Sequence, residues 1–186
     1  MSDHLRRGRH GSQQLAPASA DTILFTDLVG FTEYTDACGD SAAVAVLDEQ
    51  STIARDALAD ARGRLVKEIG DGLMFWFQHP EDALRAAVSV LVGVDAAREH
   101  RGFPLGIRMG MHCGEVTARG DDFVGQTVNI ASRVSDLAGP GELVVSEAVV
   151  GSVGSVYGRF EPVGPARVKG VAEPIWLHRL VPERAR

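Results

Sequence analysis

Two apolar stretches, residues 64–70 and 72–77, meet through Gly70-Asp71-Gly72. An Asp-Gly step between apolar segments is the strongest short-range signal for a β-hairpin, and a hairpin in mid-chain commits its neighbours to an antiparallel sheet. Upstream, Asp21 to Val29 holds Ile23, Leu24, Phe25, Leu28 and Val29 and reads as a buried strand with Asp27 near its end. A helix lies between: Asp40 and Ser41 can cap it, and Val44, Leu47, Ser51, Ala54 and Leu58 recur at three- and four-residue steps until Arg62 and Gly63. Downstream, Pro80 opens a second helix, striped by Ala83, Leu84, Ala87, Val88, Leu91 and Val94 and ended by Gly102-Phe103-Pro104. From Leu105 to Val116, Ile107, Met109, Met111 and Cys113 alternate with Arg108, Gly110, His112 and Gly114, the period of a strand. Gly120 to Gly125 reads as a loop, 126–138 as a third helix, Pro140-Gly141 as a turn and Leu143 to Val145 as a short strand. Tyr157 to Val181 reads as a β-hairpin bent at Pro162, Pro165 and Pro174. The predicted fold is α+β: a ferredoxin-like βαββαβ core with an appended helix and β-hairpin.

Composition narrows the function. The chain has 186 residues, 45% hydrophobic and 24% charged, enough to build one core without disulfides. The domain is predicted over 21–181, between an N-terminal tail of residues 1–20 and a C-terminal tail of 182–186. Cys38 and Cys113 read as reduced thiols of a cytoplasmic protein. No apolar run reaches the roughly 18 residues of a membrane span. Setting aside the three arginines and one aspartate of the first twenty residues takes the net charge from −6 to −8, which disfavours nucleic acid as a partner. No Walker loop, dinucleotide fingerprint, nucleophile elbow or zinc-ligand pair is present.

Two carboxylates stand out. Asp27 ends one strand and Asp71 sits at the tip of the central hairpin, so the sheet can bring them to one edge. Hard anionic oxygens at a sheet edge suit Mg²⁺ or Mn²⁺ carrying a polyphosphate, and Gly30, Gly70 and Gly72 beside them leave room for phosphate. Taken singly, Asp27 also reads as a helix cap and Asp71 as a turn former. Among nineteen basic residues only Lys67 and Lys169 are lysine, and Asn129 is the single asparagine. In a chain that otherwise uses arginine, a lysine marks places where a compact ammonium is wanted.

Four stretches make the pattern specific: Phe25-Thr26-Asp27-Leu28-Val29-Gly30-Phe31-Thr32, Val66-Lys67-Glu68-Ile69-Gly70-Asp71-Gly72, residues Arg108 to Val116 (RMGMHCGEV), and residues Asp122 to Arg133 (DFVGQTVNIASR). In this order and at these intervals the chain, over about residues 20–180, resembles the class III nucleotide cyclase catalytic domain. The resemblance implies that Asp27 and Asp71 bind two divalent cations, Mg²⁺ or Mn²⁺, and that Lys67 and Asp122 read the base. It further implies that Asn129 orients the ribose, that Arg133 contacts the α-phosphate as charge builds there, and that Lys169 grips the terminal phosphates. Adenine offers an acceptor at N1 and a donor at its 6-amino group, which match an ammonium and a carboxylate; guanine offers the reverse. The resemblance therefore implies an adenylate cyclase working on ATP as a head-to-tail homodimer with shared sites. Guanylate cyclase activity and a non-catalytic nucleotide-binding module are the alternatives. His112 reads as a packed strand histidine, and Glu115 as either a supporting group of the site or a surface residue.

Overall fold

The computed structural model describes residues 20–153 and 157–182. Apart from Ala20 and Pro182, both expected tails lie outside the described residues. In chain order the elements are β1 (Thr22–Val29), α1 (Phe31–Cys38), α2 (Asp40–Leu58), β2 (Gly63–Ile69), β3 (Gly72–Phe77), α3 (Pro80–Arg101) and β4 (Gly106–Cys113). They continue as β5 (Thr117–Arg119), β6 (Asp122–Val124), α4 (Gln126–Ser135), β7 (Leu143–Ser146), α5 (Glu147–Val150), β8 (Arg159–Ala166) and β9 (Ile175–Val181). The central hairpin forms at its glycines, Gly70 taking a φ of +64° that side chains with a Cβ rarely adopt.

Seven strands make one sheet in the order β2-β3-β1-β4-β7-β9-β8. The first four are mutually antiparallel and give the ferredoxin-like order; β7 then joins β4 in parallel, and β9 and β8 follow as an antiparallel pair. The α+β architecture expected from the sequence is the one observed.

The sheet has two unlike faces. Leu24 and Leu28 of β1, Phe75 and Phe77 of β3, and Met109 and Met111 of β4 point toward α2 and α3 and join Ile53, Ala54, Leu84, Ala87 and Val90 in one buried cluster. Burying one such large side chain contributes about 1.5–3 kcal/mol, so this face dominates the stability. Residues that alternate with them, Ile23, Phe25, Met74 and Trp76, face the other way. There α4 lies against β4, β1 and β7 and leaves Phe25, Val66 and Trp76 half-buried. The helix comes closest at Gly110, where a Cβ would sit 2.0 Å from the Ser135 backbone nitrogen.

Several details correct the sequence reading. Residues 31–38 form a short helix with no buried residue, so no apolar stripe announced it. The cap of α2 is Gly39, and neither Asp40 nor Ser41 makes a side-chain cap bond. The chain leaves the main sheet after Cys113 and folds β5 and β6 into a separate ribbon across the segment expected to be strand and loop. Pro162 and Pro165 lie inside β8 instead of at bends, because β8 is the sheet's edge, where a missing N–H can face solvent. The four residues of α5 are too few to carry a helical period.

Candidate active site

Asp27 and Arg108 are cross-strand partners on β1 and β4 and therefore share a face of the sheet. The Arg108 guanidinium donates to Asp27 Oδ2 through Nε, at 2.8 Å, and through Nη2. The β2–β3 turn brings Asp71 beside the Asp27 carboxylate, where burial first, and then the Asp27 charge, push the Asp71 carboxyl above the usual carboxylate range. The amides of Asp71 and Leu28 donate to it and oppose that rise. From α2, the buried Gln50 donates Nε2–H to the Asp71 carbonyl at 2.9 Å and fixes the turn from below. Asp27 does not cap the following helix, whose N-cap is Gly30 without a side-chain bond.

Two neighbouring carboxylates, the charge of Asp27 helping to raise the proton affinity of Asp71, are a donor set a hard divalent cation would satisfy. Among the described residues no group of three or more His, Cys, Asp or Glu could hold a metal ion. Two carboxylates with substrate phosphates completing the shell is the usual way of holding Mg²⁺, and the residues present fit it.

Lys67 reaches the same face through a β-bulge. The β2–β3 register pairs Arg64 with Trp76 and Leu65 with Phe75, then skips Val66 and pairs Lys67 with Met74. Without that extra residue Lys67 would point to the α2 side; bulges commonly re-aim a side chain beside a site in this way. Lys67 Nζ donates to Asp122 Oδ2 at 2.6 Å, and the Phe123 amide donates to Asp122 Oδ1 at 2.7 Å. Those two hydrogen bonds, the lysine's foremost, hold the Asp122 carboxyl below its ordinary range. Both side chains stay about as exposed as each other, 37% and 39%, so the pair remains within reach of a ligand.

The other expected residues stand apart. Asn129 and Arg133 are exposed one turn apart on α4, and Arg133 Nη1 donates to Asp136 Oδ2 at 3.3 Å. Lys169 is exposed between β8 and β9, where the neighbouring Gly170 carbonyl accepts a long 3.4 Å contact from Gln126 Nε2 at the start of α4. Among the described residues no hydrogen bond or ion pair joins Asn129, Arg133 or Lys169 to Asp27 or Asp71. His112 is packed under α4 with Nδ1 2.7 Å from Ser146 Oγ, and burial pushes its imidazole down to about 4. It is a neutral structural group. Glu115 is exposed, and its backbone carbonyl accepts the Thr127 hydroxyl at 2.6 Å. Cys113 is buried, Cys38 exposed, and both are free thiols. Arg108 is the residue the sequence reading missed: its alternation put it on one face of β4, but only the register set it opposite Asp27.

The family model for the adenylate and guanylate cyclase catalytic domain matches residues 14–180. The chain is similar to the pH-sensitive adenylate cyclase of Mycobacterium tuberculosis, 28% identical over 176 residues that cover 92% of this chain and 43% of that protein. It is also similar to the adenylate cyclase of Streptomyces griseus, 33% identical over 126 residues covering 68% and 31% respectively. The chain thus spans less than half the length of these relatives. Among solved structures, the adenylyl cyclase CyaB from P. aeruginosa superposes with a TM-score of 0.76 at 23% identity, covering 89% of this chain and 95% of that one.

Proposed function

Because the chain belongs to the adenylate and guanylate cyclase catalytic domain family, we propose that it converts ATP to 3′,5′-cyclic AMP and pyrophosphate. The Lys67–Asp122 pair is the observation that carries the choice of base. An ammonium meets the N1 acceptor of adenine and a carboxylate its 6-amino donor, whereas guanine would set donor against donor and acceptor against acceptor. An unmatched polar group enclosed in a site costs about 1–3 kcal/mol, which favours ATP by about 10- to 100-fold.

Asp27 and Asp71 would hold two divalent cations, Mg²⁺ or Mn²⁺, which when bound make the ribose 3′-hydroxyl more acidic and neutralise the triphosphate. Arg108 is the counter-ion that keeps the Asp27 carboxylate on the open face. Asn129 orients the ribose, Arg133 meets the charge that grows on the α-phosphate, and Lys169 holds the terminal phosphates. The 3′-oxygen bonds to the α-phosphorus as the bond to pyrophosphate breaks, and its proton leaves to a phosphate oxygen or water. His112 takes no part, being half-buried, neutral and bound to Ser146. Asn129 and Arg133 stand exposed on α4, open to a second copy, and in this reading two copies pair head to tail, each giving its carboxylates to one site and its base-reading pair, Asn129 and Arg133 to the other.

Incubating the purified chain with ATP or GTP and Mn²⁺ tests this, with cyclic nucleotide and pyrophosphate quantified beside an Asp71→Ala control. Cyclic AMP that disappears in the control is expected. A larger kcat/KM for GTP would overturn the choice of base, and no product from either nucleotide in a dimeric sample would overturn catalysis.

A further inference from the structure

The ribbon that carries Asp122 has little to hold it. Strands β5 and β6 pair only with each other among the described residues, all three residues of β5 are exposed, and Phe123 is the one buried residue of β6. Asp122 is therefore placed by what its neighbour Phe123 touches. The Phe123 ring stacks on Trp76 of β3, with centroids 5.3 Å apart and planes 21° from parallel. The Arg64 guanidinium carbon lies 4.9 Å from the same ring's centroid, and Arg64 is the cross-strand partner of Trp76. Trp76 is itself fixed by donating Nε1–H to Asp21 Oδ1 at 2.9 Å. The β2 bulge at Val66 sets Arg64 and Lys67 on the same face, so one strand supplies both the cation against Phe123 and the ammonium against Asp122.

We propose that Trp76 is a positioning residue for base recognition, acting through its stack on Phe123 to hold Asp122 at the distance from Lys67 that fits adenine. The proposal rests on the adenylate cyclase reading above. It also has a built-in contrast. Trp76 pairs with Ile23, four residues before Asp27 on β1, which is roughly 13 Å along the strand from the carboxylate end. Loosening the stack should disturb the base and leave the Asp27–Asp71 pair alone, whereas a general loss of structure would disturb both.

The test measures kcat/KM for ATP and for GTP, and the Mn²⁺ concentration that half-saturates activity, in wild type, Trp76→Leu, Phe123→Leu and Trp76→Phe. Both leucine variants keep apolar bulk and remove the stack, so one remains informative if the other folds poorly. Their ATP-to-GTP ratio is expected to fall about tenfold through a raised KM for ATP, while the Mn²⁺ requirement stays within about twofold, and Trp76→Phe is expected to restore the wild-type ratio. In an Asp122→Ala background, Trp76→Leu should change the ratio no further, because the residue it positions is gone. An unchanged ratio in both leucine variants of an ATP-preferring wild type would overturn the role of Trp76 and leave the adenylate cyclase reading intact. A wild type that prefers GTP or forms no cyclic nucleotide would remove both.

Discussion

The two faces of the seven-stranded sheet are built by the same strands and do opposite things. Toward α2 and α3 the alternate residues are Leu24, Leu28, Phe75, Phe77, Met109 and Met111, closed off from water. Toward α4 the intervening positions carry Phe25, Asp27, Trp76 and Arg108 and stay half-covered, with Lys67 brought in by the bulge. A period of two serves both: one set of positions stabilises the chain and the other is left free to carry charge. Asn129 and Arg133 stand exposed on α4, the helix beside this charged face.

Substitutions on the two faces should therefore fail differently. Asp71→Ala should lower the rate about a thousandfold or more while leaving the melting temperature unchanged or raised, because it relieves the crowding of two carboxylates. A variant that melted much earlier would make Asp71 a structural turn residue. Leu84→Ala on the closed face should show the reverse, a loss of about 2–5 kcal/mol in urea unfolding from the cavity it leaves with kcat retained in the folded fraction. His112 gives the sheet a pH dependence. Burial holds its imidazole at about 4 against 6.5 when unfolded, so as pH falls the unfolded chain takes the proton first. Its contribution is complete above 6.5 and is lost progressively down to 4. Between pH 7 and 5 the wild type should lose about 2 kcal/mol of unfolding free energy that His112→Gln keeps; parallel curves for the two chains would show that His112 is not the titrating group. The smallest effect expected is on selectivity. Lys67→Glu combined with Asp122→Ala should shift the ATP-to-GTP ratio of kcat/KM about tenfold toward GTP, and a ratio unmoved by both changes would contradict their assignment to the base.

How much of this the sequence carried depended on what had a period. The Gly70-Asp71-Gly72 hairpin, the long stripes of α2 and α3 and the alternation of β4 are repeated signals, and each yields its element. The helices and β4 of the closed face could be read for that reason, whereas β1 and β3 read only as apolar runs whose two faces the structure separates. The open face depends on register, which no period encodes: the skipped Val66 that turns Lys67 toward Asp122, and the pairing that seats Arg108 on Asp27, come from how strands align. The β5–β6 ribbon is three residues to a strand with Phe123 alone buried, too little for any pattern. Asp27 with Asp71 and Lys67 with Asp122 were legible as pairs, the first from the strand end and hairpin tip and the second through the resemblance, while the bulge and the Arg108 contact that hold them were not.

The most direct test of the claim that two copies complete one site mixes Asp71→Ala chains with Asn129→Ala chains, each inactive alone. If a site takes its carboxylates from one copy and its Asn129 from the other, half of the dimers formed by free exchange are mixed. Each of those holds one intact site of two, so about a quarter of wild-type cyclic AMP production should return. No recovery in dimers verified to contain both chains would contradict the shared site.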